Sequence, residues 1–292
     1  MVDSSQVPAV SVVVPVFNDE ASVGALLDCL LAQDYPGDRI EIVICDNGSH
    51  DRTREVVVQR QAERREFIHL TVEDQVQSSY AARNKAIAAA SGEVFAFTDA
   101  DCRPEPGWVR AAVTALARES ATSGGGQIVF TYGGARPNLY EYYDSVRKLQ
   151  QQVYIEQAGF SATANFFAHR QVFDVYGLFR SDLISGGDYE FGRRLTKNGE
   201  RMIYVAEAVV HHPARSSFGA IYRKSVRVAR GQKQLTRLGL LEQGQVSWRQ
   251  LLPVRSYPVD ARWAPSLHRS ERLQLILLQN FFRWLNFFVR RF

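Results

Sequence analysis

Cysteine is scarce in this chain, and the little there is does not cluster. Cys29, Cys45 and Cys102 are the only three in 292 residues. They lie too far apart for a zinc pattern and are odd in number, which argues against a disulfide framework and for a reducing, cytoplasmic compartment. The opening stretch MVDSSQVPAV lacks a basic start followed by an apolar run, so it does not read as a secretion leader. Internal repeats and low-complexity tracts are missing too. Cations are few over most of the length: residues 1–212 carry 20 Lys and Arg against 28 Asp and Glu, a net charge of −8.

What is present is mostly apolar. A hydrophobic content of 46%, with 11% aromatic, excludes disorder, and the length suits one large domain or two unequal ones. The missing cations return at the end, where residues 213–292 carry 15 Lys and Arg against 3 acids, a net +12. A basic tail of this kind points to a polyanionic surface, either membrane or nucleic acid.

Along the first hundred residues short apolar runs alternate with helical patterns, as in parallel strands joined by crossover helices. AVSVVVPVF reads as a first strand. The helix after it turns Ala25, Leu26, Leu27, Leu30 and Leu31 inward. IEIVICD is a second strand, FIHLTVE a third and EVFAFTD a fourth, with helices begun by Thr53 and by SYAARNK between them. Ser49 or Asp51 is placed to cap the Thr53 helix. The helix GWVRAAVTALARES, a strand in GGGQIVFTYGG, a helical stretch from Asn138 to Gln157 and a last strand, RMIYVAEAVVHHP, follow.

Asp99 and Asp101 end the fourth strand, separated by Ala100. At i and i+2 on an extended chain they point to one side and repel, so they call for a shared counter-charge such as a divalent cation. With 15 Asp in the chain, a chance Asp-x-Asp is expected roughly once. The carboxyl end of a strand is, however, where open α/β sheets bind ligands.

Five stretches in order, VVVPVFN, DNGSHDRT, ARNKAIAAASGEVFAFTDAD, ATANFFAHRQVFDVYGLF and GGDYEFGRRL, resemble the family 2 glycosyltransferases over about residues 9–215. The resemblance implies a GT-A fold, that is, a Rossmann-like, mixed but mostly parallel α/β sheet flanked by helices, here with a C-terminal helical extension. It divides the chain into a catalytic domain, 1–215, and a basic, aromatic helical region, 216–292. Within the first, residues 9–102 are the nucleotide-sugar half and 103–215 the acceptor half.

By the same resemblance Pro15, Val16, Asn18 and Asp46 meet the nucleotide base and ribose, Arg83 faces the diphosphate, and Asp99 and Ala100 line the donor site. Asp99 and Asp101, with His212, hold Mn²⁺ or Mg²⁺, ions suited to oxygen ligands and phosphate. Asp188 is the catalytic base of an inverting displacement. The usual pattern has an acid where this chain has Gly187, and Glu190 is the alternative carboxylate beside the acceptor. Asp46 is alternatively a turn residue, Arg83 a solvated helix charge, and Asp188 a helix cap. His211 and His212 sit on opposite faces of the last strand, so at most one reaches the site. Trp108 either stacks on an acceptor sugar or packs in the core, where Phe166, Phe167, Phe173 and Phe179 are expected.

The implied activity is sugar transfer from a nucleoside diphosphate sugar to the hydroxyl of a glycan or lipid-linked acceptor, in surface polysaccharide or glycolipid synthesis. A nucleotidyltransferase would want a basic, glycine-rich loop after the first strand, and PVFNDEAS has neither Lys nor Arg. A nucleic-acid-binding protein is disfavoured by the acidic larger part, which repels a polyanion. In ERLQLILLQNFFRWLNFFVRRF, Arg272, Gln279, Arg283, Asn286 and Arg290 recur at helical spacing as one polar stripe. That regularity argues against a membrane span. Residues 270–292 read instead as a helix that either lies on the inner face of the cytoplasmic membrane or docks on protein.

Overall fold

A computed structural model of the chain describes residues 7–146, 149–241, 251–258 and 267–292. The first six residues of the leader reading, and residues 242–250 and 259–266 of the expected C-terminal region, lie outside the described residues. The chain divides into two compact units. One comprises Met1–Val129, Leu149–Asp182 and Gly187–His212, the other Phe130–Lys148, Leu183–Gly186 and Pro213–Phe292. Besides the residues from Pro213 onward, the second unit takes in two segments that precede residue 215.

The first unit is built on a sheet of eight strands in the order β3-β2-β1-β4-β7-β6-β8-β5. β1 (Val10–Val16), β2 (Ile40–Asp46), β3 (Ile68–Val72) and β4 (Val94–Thr98) are its parallel part. Val12, Val13 and Val14 are fully buried, because a central strand covered on both faces has no polar side to show. Helices α1 (Val23–Leu31), α2 (Thr53–Glu63) and α3 (Ser79–Ala89) make the crossovers. α1 buries Val23, Leu26, Leu27 and Leu30, whereas Ala25 faces water. Asp51 accepts the Thr53 N–H at 3.0 Å at the start of α2, while the Ser49 hydroxyl is used elsewhere.

Beyond β4 the sheet turns antiparallel. β5 (Arg103–Pro104) precedes α4 (Trp108–Glu119), and β6 (Ser123–Thr131) follows it. β7 (Asn165–His169) runs against both β4 and β6, and β8 (Met202–Pro213) runs against β5. At Gly126 a side chain would run into the Ala208 carbonyl, which explains a glycine run in a strand. Phe166, Phe167, Phe173 and Phe179 are buried as expected, with Phe173 stacked on Phe191 of α8 (Gly187–Lys197) at 4.9 Å. The helical stretch expected from Asn138 is α5 (Leu139–Val146) and α6 (Gln151–Ala158), with residues 147–148 between them outside the description. α7 (Arg170–Tyr176) completes the unit.

In the second unit α5 packs with α9 (Phe218–Arg237) and α10 (Arg269–Arg291). Ser217 caps α9 by accepting the Ala220 N–H, and His268 with Glu271 forms a reciprocal box at the start of α10. Asp144 is buried between the Arg215 guanidinium and the Lys224 ammonium, each 3.1 Å away. Among the described residues no helix is long and apolar enough to cross a membrane.

Candidate active site

The strand order reverses at β1, between β2 and β4, and the carboxyl edge there is where such a sheet opens a crevice. In the parallel register Val16, at the end of β1, lies beside Asp46, at the end of β2. The loops that leave these strands are tied together. The Asn18 N–H donates to Ser49 Oγ at 3.0 Å, Asn18 Oδ1 accepts from the His50 N–H at 2.8 Å, and the Asp19 N–H donates to Thr53 Oγ1 at 2.6 Å. Asn18 does this at φ 50°, a left-handed conformation that asparagine tolerates.

Asp46 is completely buried, and its Oδ2 accepts from Arg54 at 2.6 and 3.0 Å. Asn18 and Asp46 thus shape the loops. Pro15 is half-buried, and Val16 is buried with its carbonyl accepting the Asn47 N–H. Among the side chains this edge exposes is Phe17, 45% exposed, which the sequence motif contained but did not single out.

The two acids of the Asp-x-Asp pair have different partners. Asp99 to Cys102 is a turn, closed by the Cys102 N–H on the Asp99 carbonyl at 3.0 Å, so the same-side rule for extended chain does not apply. Asp99 Oδ1 accepts from Arg83 Nη2 at 2.6 Å. Asp101 instead meets Cys102 and His212, with one ligand atom from each of the three lying within 4.8 Å of the others. Of the expected metal set, Asp101 and His212 lie together here, and Asp99 is paired with Arg83. Ala100 is buried between the two acids.

β5 makes this cluster possible. Arg103 pairs with His211, which sets His212 on the face towards Asp101 and turns His211 to the other side, where Nε2 lies 2.9 Å from Glu105 Oε1. Burial, reinforced by the charges of Asp99 and Asp101, pushes the Cys102 thiol well above its ordinary range, leaving it neutral. Asp19, on the β1 loop, is within electrostatic reach of Asp101; burial first and then that charge raise its pKa, against a Ser22 hydrogen bond. Sequence reasoning missed both Cys102 and Asp19, although the acidic PVFNDEAS loop carried a signal for the second. A carboxylate oxygen and an imidazole nitrogen at this spacing, with further acid nearby, fit a divalent cation such as Mn²⁺.

Arg83 is 4% exposed, and its Nε has no hydrogen-bond partner. A buried guanidinium edge left unpaired carries a desolvation cost that an anion would relieve. Asp188 stands in the first turn of α8 and accepts the Tyr189 N–H at 2.9 Å. Burial of its carboxyl raises its pKa; the Tyr189 hydrogen bond and the Arg83 charge lower it, and the Asp99 charge raises it further. Arg83, Asp99 and Asp188, from α3, the end of β4 and α8, therefore share one electrostatic environment.

Two expected acceptor residues are placed otherwise. Trp108 is fully buried, and its indole N–H donates to Asn165 Oδ1 at 2.8 Å, so it is core and has no face for a sugar. Glu190 is 9% exposed and bound to Arg194 at 2.7 Å, one turn along α8. It lies about 200° from Asp188 around the helix, because successive residues turn by about 100°. Gly187 explains the departure from the family pattern: a Cβ there would come within 2.8 Å of the Tyr80 ring.

The model of glycosyl transferase family 2 matches residues 11–177. The chain belongs to that family. Glycosyltransferase AglE of Haloferax volcanii is 35% identical over 234 residues, covering 80% of this chain and 75% of that protein. A dolichyl N-acetyl-alpha-D-glucosaminyl phosphate 3-beta-D-2,3-diacetamido-2,3-dideoxy-beta-D-glucuronosyltransferase of Methanococcus voltae is 25% identical over 253 residues, covering 79% and 74%. Among solved structures, the mannosyltransferase PcManGT from Pyrobaculum calidifontis, in complex with GDP-Man and Mn²⁺, aligns with a TM-score of 0.64 at 19% identity, covering 99% of this chain and 73% of that one. The fold is GT-A. As a family 2 member the chain is a nucleotide-sugar glycosyltransferase, and the nucleotidyltransferase and nucleic-acid readings are set aside. Asp188 and His212 lie beyond the matched span.

Proposed function

We propose that this glycosyltransferase moves a sugar from a nucleoside diphosphate donor to an acceptor hydroxyl in one inverting displacement, with Asp188 as the base. The observation that carries this reading is the convergence of Arg83, Asp99 and Asp188 at the carboxyl edge of the sheet that also holds the Asp101, Cys102 and His212 cluster. Phe17 offers a ring on which the nucleotide base can stack. The unpaired Nε of Arg83 donates to the diphosphate, with its Nη2 kept on Asp99.

Asp101 and His212 would hold Mn²⁺ or Mg²⁺, which when bound supplies positive charge to the departing diphosphate. Ionised Asp188 takes the acceptor hydroxyl proton as that oxygen attacks the anomeric carbon, and its raised pKa makes it a stronger base than an ordinary aspartate. The Methanococcus voltae relative is named for a dolichyl-linked substrate, which supports a polyprenyl-phosphate-linked sugar as acceptor.

Calorimetric titration of the full chain with UDP, GDP and dTDP, with and without Mn²⁺, tests the donor site. Metal-dependent binding of one nucleotide, weakened about tenfold or more in Asp101→Ala, is expected from loss of a metal ligand. Binding indifferent to both metal and mutation would overturn it.

A further inference from the structure

α10 is apolar on two sides: Leu275, Phe282 and Phe287 are buried, and a second apolar row faces outward. Gln279 and Asn280 are buried, and Gln279 Oε1 has no hydrogen-bond partner. Asn280 is spent on the backbone of Val254, accepting its N–H at 2.8 Å and donating to its carbonyl at 3.1 Å. Leu273, Leu277, Phe281, Trp284, Phe288 and Phe292 meanwhile are exposed, from 39% at Trp284 to 80% at Phe292. They recur at steps of three or four residues and share one stripe about 100° wide. Of the expected polar stripe, Arg272 is exposed but its second member, Gln279, is buried, and a separate apolar row faces outward. The stripe continues onto α9, where the exposed Phe218 lies 5.4 Å from Phe281 and stacks on Tyr222. An apolar face this large in water marks an interaction site.

Charge selects the occupant. On α9 the residues Arg223, Arg227, Arg230 and Arg237 are exposed and recur on one side of the helix, and Arg269 is exposed at the start of α10. With 15 Lys and Arg against 3 acids in residues 213–292, most of these cations have no acid in that stretch to answer them. A second copy would bring a like-charged surface to meet this one. A nucleic acid would leave the leucine and phenylalanine stripe uncovered. We infer that the α9–α10 face docks on an anionic lipid surface, with the apolar stripe in the headgroup–acyl boundary and the arginines at the phosphates. Such docking would place the enzyme where a lipid-linked acceptor resides.

The test is flotation of the full chain with vesicles of phosphatidylcholine alone or with about one-third phosphatidylglycerol, the anionic lipid that favours basic amphipathic helices. Wild type is expected to float with the anionic vesicles and poorly with the neutral ones. The variant Leu273→Ser/Leu277→Ser/Phe288→Ser, altered only at exposed positions, is expected to bind about tenfold less or weaker still. Circular dichroism and calorimetric nucleotide binding confirm that the variant is folded, and a failure of nucleotide binding in both proteins would count against the donor site without touching the flotation result. Equal flotation of wild type and variant, or no flotation of wild type, would overturn the inference. So would a dimer, seen by light scattering, that the variant dissolves, since the face would then be covered by a second copy.

Discussion

In the unit that carries the sheet, side chains lie where water puts them: β1 buries its valines, α1 its leucines, and charged groups gather at the carboxyl edge. In the other unit α10 buries Leu275, Phe282 and Phe287 but also turns Leu273, Leu277, Phe281, Trp284 and Phe288 outward, while Gln279 and Asn280 are kept in. The contrast separates two kinds of surface. An edge of acids with a half-satisfied arginine is shaped for a small, charged ligand, whereas a helix with an apolar outer face is shaped for a medium other than water.

Variants sharpen the contrast if damage to one unit leaves the other intact. The largest expected effect is at Asp188. Asp188→Asn should lower kcat by roughly 10³-fold, the scale of a lost general base, while nucleotide affinity stays unchanged. The base works only when ionised, so transfer should fall as pH drops through the raised pKa of Asp188; Arg83→Gln, which removes a charge that lowers that pKa, should move this limb to still higher pH.

In the second unit Asp144→Ala should cost about 3–5 kcal/mol, since it leaves two cations facing each other, and chemical denaturation would read it. Despite burial, the Lys224 and Arg215 charges hold the Asp144 pKa low, so its stabilisation is present above the ordinary carboxylate range and lost as pH falls through the folded value. Gly187→Ala should cost about 1–3 kcal/mol by crowding Tyr80, with a parallel fall in transfer. The smallest functional effect is expected at Trp108: Trp108→Phe should lower stability by about 1–3 kcal/mol by leaving Asn165 Oδ1 without its indole donor, and leave the acceptor KM as it was.

The parallel half of the fold was legible because its signals are local. IEIVICD is rich in β-branched apolar residues, with Glu41 the one polar residue before its closing Asp46, and the structure has β2 over those same residues. β7 was harder, since nothing in NFFAH says that it will run against β4, and a two-residue strand such as Arg103–Pro104 has no period to read. That short strand decides which histidine meets Asp101, so the most consequential pairing was the least visible. Asp99 and Asp101 were found by motif, but their separation depends on a turn, and pattern rules for extended chain cannot anticipate it. Glu190 and Trp108 failed for another reason: sequence shows an acid or a ring, whereas the partner that sequesters it, Arg194 or Asn165, is fixed by packing.

The central claim is inverting transfer by Asp188, and the anomeric configuration of the product tests it most directly. The full chain would be incubated with Mn²⁺, UDP- and GDP-linked sugars and a polyprenyl-phosphate-linked sugar acceptor, and the new linkage read by the coupling constant of its anomeric proton. The account predicts a linkage inverted relative to the donor, formed by wild type and not by Asp188→Asn, with both proteins binding nucleotide equally. A retained configuration, or undiminished transfer by Asp188→Asn, would contradict it.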